Sequence, residues 1–207
     1  MERRKALKNL GLGTASVFTG SLLFSALQSC SRQSAVDWEP RFFTKEEAAQ
    51  MERICEAILP ASDTPGATDA GVVPHLDESV FVMDSEREKN YLRQGLKAFI
   101  ARFEPNVEVP FDEATREQIG QGVNGYLRGM SRNNNLLQNY FNDLKDNKEK
   151  SLGFFEIHFV YTVVNASIWS YLTSELVGET VMAYDPIPGE FNGCTAYDQT
   201  ARAWSYL

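Results

Sequence analysis

Histidine and cysteine are scarce in this chain of 207 residues, with two His and three Cys. His75 and His158 lie far apart, and Cys30, Cys55 and Cys194 form no CxxC or CxxCH run, so no metal-ligand spacing is present. The chain also lacks GxGxxG, GxxxxGK[ST], GxSxG and HExxH. It therefore carries no sequence sign of cradling a flavin or nucleotide phosphate, or of a hydrolase nucleophile or metalloprotease helix. Positive charge is in the minority, with 20 Lys and Arg against 28 Asp and Glu and a net charge of −8. That balance argues against nucleic-acid binding, which needs a basic footprint, and acidity alone serves solubility.

What is present begins at the N-terminus. Arg3 and Arg4 are followed by Lys5, Leu7 and Lys8, then by an uncharged run from Leu10 to Leu27 that ends at Gln28-Ser29-Cys30. A basic head, an uncharged middle and a small residue before a cut describe a targeting segment. Arg3-Arg4 with Leu7 and Lys8 resembles a twin-arginine export signal, with Glu2 and Ala6 departing from the fuller pattern. A membrane span needs roughly 20 strongly apolar residues, and Gly11, Gly13, Thr14, Ser16, Thr19, Gly20 and Ser21 dilute this run. Leu27-Gln28-Ser29-Cys30 resembles a lipobox, in which Cys30 would be acylated and the chain cut before it. The alternative is a Sec signal with a chance cysteine, or an uncleaved anchor. Residues 1–29 are thus expected to be a signal peptide and 30–41 a polar tether, with a helical domain over 42–207. A lipid anchor on the periplasmic side of a bacterial membrane follows. Ser31 rather than Asp after Cys30 points by analogy to the outer membrane.

Removing residues 1–29 takes away four basic residues and one acidic residue, which moves the net charge from −8 to −11 and leaves 178 residues. That length suits one domain with a substantial core. Two cysteines outside the cytoplasm, Cys55 and Cys194, could pair. The place of Cys55 in an apolar helical stripe suits a buried thiol equally well.

The periodicity predicts an all-α, compact single-domain bundle with an extended, turn-rich C-terminal tail. Thr44 and Glu47 form a capping box, and Phe43 is placed to staple onto Ala48. Met51, Ile54, Cys55 and Ile58 recur at helical spacing until Pro60. Pro60 to Gly71 reads as a loop. Val72 to Phe81 suggests a second helix, with Pro74 tolerable in its first turn. Ser85 and Glu88 suggest another capping box, before a stripe from Tyr91 to Phe103. Pro105 to Pro110 is expected to break the chain. Asp112 or Thr115 starts a weaker helix containing Gly120, Gly122 and Gly125, and Leu136 to Leu144 forms another amphipathic run.

The longest apolar segment is Phe154 to Val177, followed by Gly178 as a candidate C-cap. Its apolar residues lie on nearly all faces, so this helix is central or covered by a partner. Tyr161-Thr162-Val163-Val164 leaves a strand as an alternative. Glu156, His158, Asn165 and Ser167 argue against a membrane span. Phe154, Phe155, Tyr161 and Trp169 on this helix, with Tyr184 and Phe191 in the tail, are the candidate partner interface. Asp63, Asp69, His75 and Glu156 could meet in a cleft, but one His beside carboxylates on amphipathic helices is usually structural. No catalytic, cofactor-binding or metal residue is assigned.

Three blocks stand in the order found in the gluconate 2-dehydrogenase subunit 3 family, which this chain resembles. They are Phe43-Thr44-Lys45-Glu46-Glu47 leading to Ile58-Leu59-Pro60-Ala61-Ser62-Asp63-Thr64-Pro65-Gly66-Ala67; then Ala70-Gly71-Val72-Val73-Pro74-His75-Leu76-Asp77; and Phe154-Phe155-Glu156 opening a late helix. The chain departs from the family after the late helix. Tyr184-Asp185-Pro186-Ile187-Pro188-Gly189 and Asn192-Gly193-Cys194 stand where many members carry Gly-Gly-Asn and a Gly-Tyr-Pro-Gly turn. The resemblance implies a small, mainly helical, non-catalytic subunit that binds no cofactor itself. It would accompany a large FAD-dependent dehydrogenase of the glucose-methanol-choline (GMC) type, often with a cytochrome c that takes the electrons. Its export signal would carry the folded flavoprotein across the membrane. A free-standing lipoprotein that binds a ligand or scaffolds other proteins is the alternative, and an independent enzyme a third.

Overall fold

The computed structural model describes residues 36–83, 85–146, 148–183 and 202–203. Arg3, Arg4, Leu7, Lys8, Cys30, Tyr184 and Phe191 lie outside the described residues. Within them the chain is all-α: α1 Lys45–Ile58, α2 Val72–Met83, α3 Glu86–Val107, a 3-10 turn Phe111–Glu113, α4 Arg116–Arg132, α5 Asn134–Lys145, α6 Leu152–Leu172 and α7 Glu175–Thr180. None of these helices is long and apolar enough to cross a membrane.

Each boundary has a local cause. The Thr44 hydroxyl accepts the Glu47 N–H, while the Glu47 carboxylate accepts the Thr44 N–H. This is the capping box expected from sequence, and Phe43 and Ala48 beside it are both buried. Thr115 and Gln118 form a second such box, which starts α4. Ser85 caps α3 through the Glu88 N–H, but the Glu88 side chain turns away to Arg87, so only half of the expected box forms.

The expected break between Pro105 and Pro110 falls after Val107, not at the first proline. α3 runs through Pro105 to Val107. Glu108 ends the helix in the left-handed region, at φ 58°, with its N–H donating to the Glu104 carbonyl. The long apolar segment is likewise two helices rather than one. The Ser174 hydroxyl accepts the Val177 N–H and starts α7, which places Gly178 inside a helix rather than at a C-cap.

α6 is the central element, and the alternative of a strand at Tyr161–Val164 is overturned. Phe154, Phe155, Glu156, His158, Phe159 and Val160 are all buried, so the first half of α6 is enclosed on nearly every side. It crosses α3 at Gly95. A Cβ on Gly95 would stand 2.5 Å from the Phe159 Cβ and 2.7 Å from the Phe155 carbonyl oxygen. The two backbones meet there with no side chain between them. Around the crossing Phe99 packs on Phe159 at 5.5 Å between centroids, and Phe103 packs on Phe111 at 5.4 Å. Each fully buried Phe contributes roughly 1.5–3 kcal/mol.

Two carboxylates fasten the connections. Asp77, 1% exposed, accepts the backbone N–H groups of Arg41 at 2.7 Å, Phe42 at 3.0 Å and Phe43 at 2.8 Å. Glu56 accepts from the Ala61 N–H at 3.1 Å and from both the N–H and hydroxyl of Thr68, fixing the loop after α1. Trp38 donates to Glu52 at 3.0 Å, and Val36 packs on the core. Residues 36–41, expected to be part of a polar tether, are therefore fastened to α1 and α2. Their anchors are one indole and a buried carboxylate 36 positions away from Arg41, which composition does not reveal.

Gly95→Ala is expected to destabilise the fold by about 1–3 kcal/mol, because a methyl group meets backbone and Cβ atoms that cannot swing aside. Urea denaturation should show the loss as a lower midpoint with an unchanged slope.

Candidate functional site

Two features of the surface are candidates for function. The first is the outward face of the second half of α6. Ile168 is 43% and Trp169 62% exposed, and Leu176 on α7, 38% exposed, extends the same apolar surface. Spacing of three to four residues keeps Asn165, Ile168, Trp169 and Leu172 on one side of the helix. The sequence-predicted interface divides here. Trp169 is on this face and Tyr161 is half-buried, whereas Phe154 and Phe155 are turned inward, 4% and 8% exposed. These two pack on Tyr91 of α3 at 5.4 and 5.6 Å between centroids, so they are core and not contact surface. Apolar residues on every face left their direction open; the α3 crossing decides it.

The second feature is a cavity of about 490 Å³ between α3, α4 and the start of α6. Phe99, Phe103, Leu136 and Ile157 supply apolar wall, while Arg102, Tyr126 and Glu156 supply the polar groups. Glu156 is 7% exposed and has Arg102 Nη1 at 3.5 Å. The Tyr126 hydroxyl oxygen is buried and has no hydrogen-bond partner. Burial first, and then the Glu156 carboxylate, raise the Tyr126 phenol above its ordinary value.

The other titratable groups of the interior are structural. The Cys55 thiol is free and buried, 3.3 Å from the Ser167 hydroxyl, and burial pushes it up to about 12. A thiol held protonated is a poor nucleophile. Cys194, the other half of the possible disulfide, lies outside the described residues. His158 Nδ1 shares a hydrogen bond of 3.0 Å with the Tyr140 hydroxyl. Its Nε2 is 3.8 Å from Glu88, too far for that carboxylate to offset burial, which brings the imidazole down to about 4. The same burial pushes Tyr140 up to about 12.

Asp63, Asp69, His75 and Glu156 do not assemble into a cleft site. Asp63 and His75 are exposed, Asp69 accepts the Gly66 N–H, and Glu156 lies in the cavity on α6. Among the described residues no group of three or more His, Cys, Asp or Glu side chains could hold a metal ion. Sequence reasoning missed the cavity. Its signal was the run of helical glycines on α4, which read only as weak helix.

The fold defines a small helical module whose central helix is buried in its first half, carries exposed apolar residues on its second half and borders an open cavity at its start. The chain belongs to a family described as Gluconate 2-dehydrogenase subunit 3, whose profile matches residues 45–189. The family's name is that of one subunit of a dehydrogenase complex. No curated protein and no solved structure matches the chain.

The His158 imidazole predicts an acid sensitivity. The unfolded chain takes up a proton near the ordinary value of 6.5, the folded chain only near 4. Stability present at pH 7 is therefore lost as pH falls through this window, by about 1–3 kcal/mol. Unfolding free energies measured between pH 7 and 4 should fall, and His158→Gln should flatten that part of the curve.

Proposed function

We propose that this chain is the accessory subunit that escorts, stabilises and tethers an exported FAD-dependent dehydrogenase of the GMC type. The partner would act on sugars or related alcohols and pass electrons onward, in some complexes to a cytochrome c. The observation that carries the reading is family membership over residues 45–189. Three further features support it. Arg3-Arg4 with Leu7 and Lys8 resembles a signal for exporting folded cargo, and Cys30 stands where a lipid anchor is attached. Ile168, Trp169 and Leu176 form an outward apolar surface of the kind that marks a protein contact. The physical logic joins these. A flavin is loaded inside the cell, the loaded enzyme must leave folded, and one signal serves a tight pair.

In this reading the chain performs no bond-making step. Arg3 and Arg4 direct export, Cys30 holds the complex at the periplasmic face of a membrane, and Trp169 anchors the partner. Large aromatic side chains at the centre of an interface carry much of the binding energy.

Two outcomes test this. Tagged chain purified from the native membrane in mild detergent should bring down a yellow flavoprotein; recovery of the chain alone and colourless would count against the reading. Replacing both Arg3 and Arg4 with lysine should leave the flavoprotein and its activity inside the cell, read by fractionation. Separately, Ile168→Glu with Trp169→Glu should cut recovered flavin at least tenfold, while the melting temperature stays within a few degrees because both sites are exposed.

A further inference from the structure

We infer that the cavity between α3, α4 and the start of α6 is a binding site for a neutral, largely apolar small molecule that carries a hydroxyl group. This goes beyond the accessory-subunit reading and holds whether or not that reading does. The volume, about 490 Å³, falls within the range of small-molecule sites. Its walls are two aromatic rings, Phe99 and Phe103, with Leu136 and Ile157. Those groups suit an apolar body.

The polar groups converge and are incompletely used. Glu156 is buried, with Arg102 at 3.5 Å, at the outer limit of a hydrogen bond, and the Tyr126 phenol close enough to be raised by its carboxylate. The Tyr126 hydroxyl is buried and unpaired. A buried polar group left without a partner is costly, so such groups in native proteins call for a partner. The carboxylate accepts only, whereas the phenol O–H can donate. A ligand hydroxyl does both: it donates to Glu156 and accepts from Tyr126. Arg102 already offsets the carboxylate's charge, so a cation has little to gain. An anion likewise gains little from the paired charges and would lose its hydration on entering.

The wall formed by α4 supports the same conclusion independently. Gly122, Gly125 and Gly129 all line the cavity. A Cβ on Gly122 would stand 3.0 Å from the Phe103 ring, so packing accounts for that glycine. A Cβ on Gly125 or Gly129 would meet nothing within 4 Å. Packing does not require these two, and a glycine inside a helix weakens it relative to alanine. What their missing side chains do is keep the cavity open.

The test uses the full chain in mild detergent and three probes: 4-ethylphenol, ethylbenzene and 4-ethylbenzoate. Saturation-transfer NMR and calorimetry should show saturable binding of 4-ethylphenol with a Kd of ~10 mM or tighter, the weakest expected for a ligand of that size. Ethylbenzene and 4-ethylbenzoate should bind several-fold more weakly. Tyr126→Phe should weaken 4-ethylphenol by about tenfold, the loss of one hydrogen bond. Gly125→Leu should abolish binding while the melting temperature holds or rises, because leucine fills empty space and favours the helix. Absence of saturable 4-ethylphenol binding, equal binding of ethylbenzene, or wild-type binding by folded Gly125→Leu would overturn the proposal. If no probe binds and Gly125→Leu instead abolishes recovery of a flavoprotein, the cavity is a socket for a partner's side chain and the small-molecule reading falls.

Discussion

The contact on which the rest of the structure depends is the crossing of α3 and α6 at Gly95. With no side chain between the backbones, Phe159 lies directly against α3, and the rings of Phe99, Phe103 and Phe111 gather beside it. This crossing encloses the first half of α6 and turns Phe154, Phe155 and His158 inward. It leaves the second half free to present Ile168 and Trp169 outward. It also sets the gap between the end of α3 and α4, which is the cavity. One small residue thus decides which part of the central helix is core and which part is surface.

The residues that carry the family resemblance are largely scaffold. Phe43, in the first block, donates its N–H to Asp77, in the second. Pro65, in the loop of the first block, accepts the Tyr171 hydroxyl at 2.8 Å from α6. Gly71 takes φ 64°, a conformation that glycine adopts at no steric cost. Arg93 donates to the Phe42 carbonyl at 2.8 Å and lies 4.6 Å from the Phe42 ring. These contacts join the entry to the domain, the loop after α1 and the central helix.

The two proposals fall on different parts of the domain. Partner contact would fall on the outward half of α6 and on α7, whereas the cavity sits at the opposite end of α6, beside Glu156 and Gly153. An occupant of the cavity would touch α3, α4 and α6 together, the elements that define the crossing. Filling it would stiffen the core without altering the outward apolar face. A small molecule could therefore act on the subunit's stability while leaving the partner surface free.

How much of this was legible in the chain follows from the range of the forces involved. Capping at Thr44, the helical stripes, the all-round apolar character of the Phe154 segment and the acid balance are local or compositional, and the residues alone determined them. The proposed export and lipid signals rest on equally local patterns of a few side chains. Where Trp38 and residues 41–43 attach, and which of Phe154, Phe155 and Trp169 face inward, depended on neighbours far away in sequence. So did the cavity: Phe99 and Arg102 of α3, the glycines and Tyr126 of α4, and Glu156 of α6 acquire meaning only when Gly95 brings those helices together. Periodicity states that a helix has an apolar side; only the packing of its partners decides how much of that side is covered.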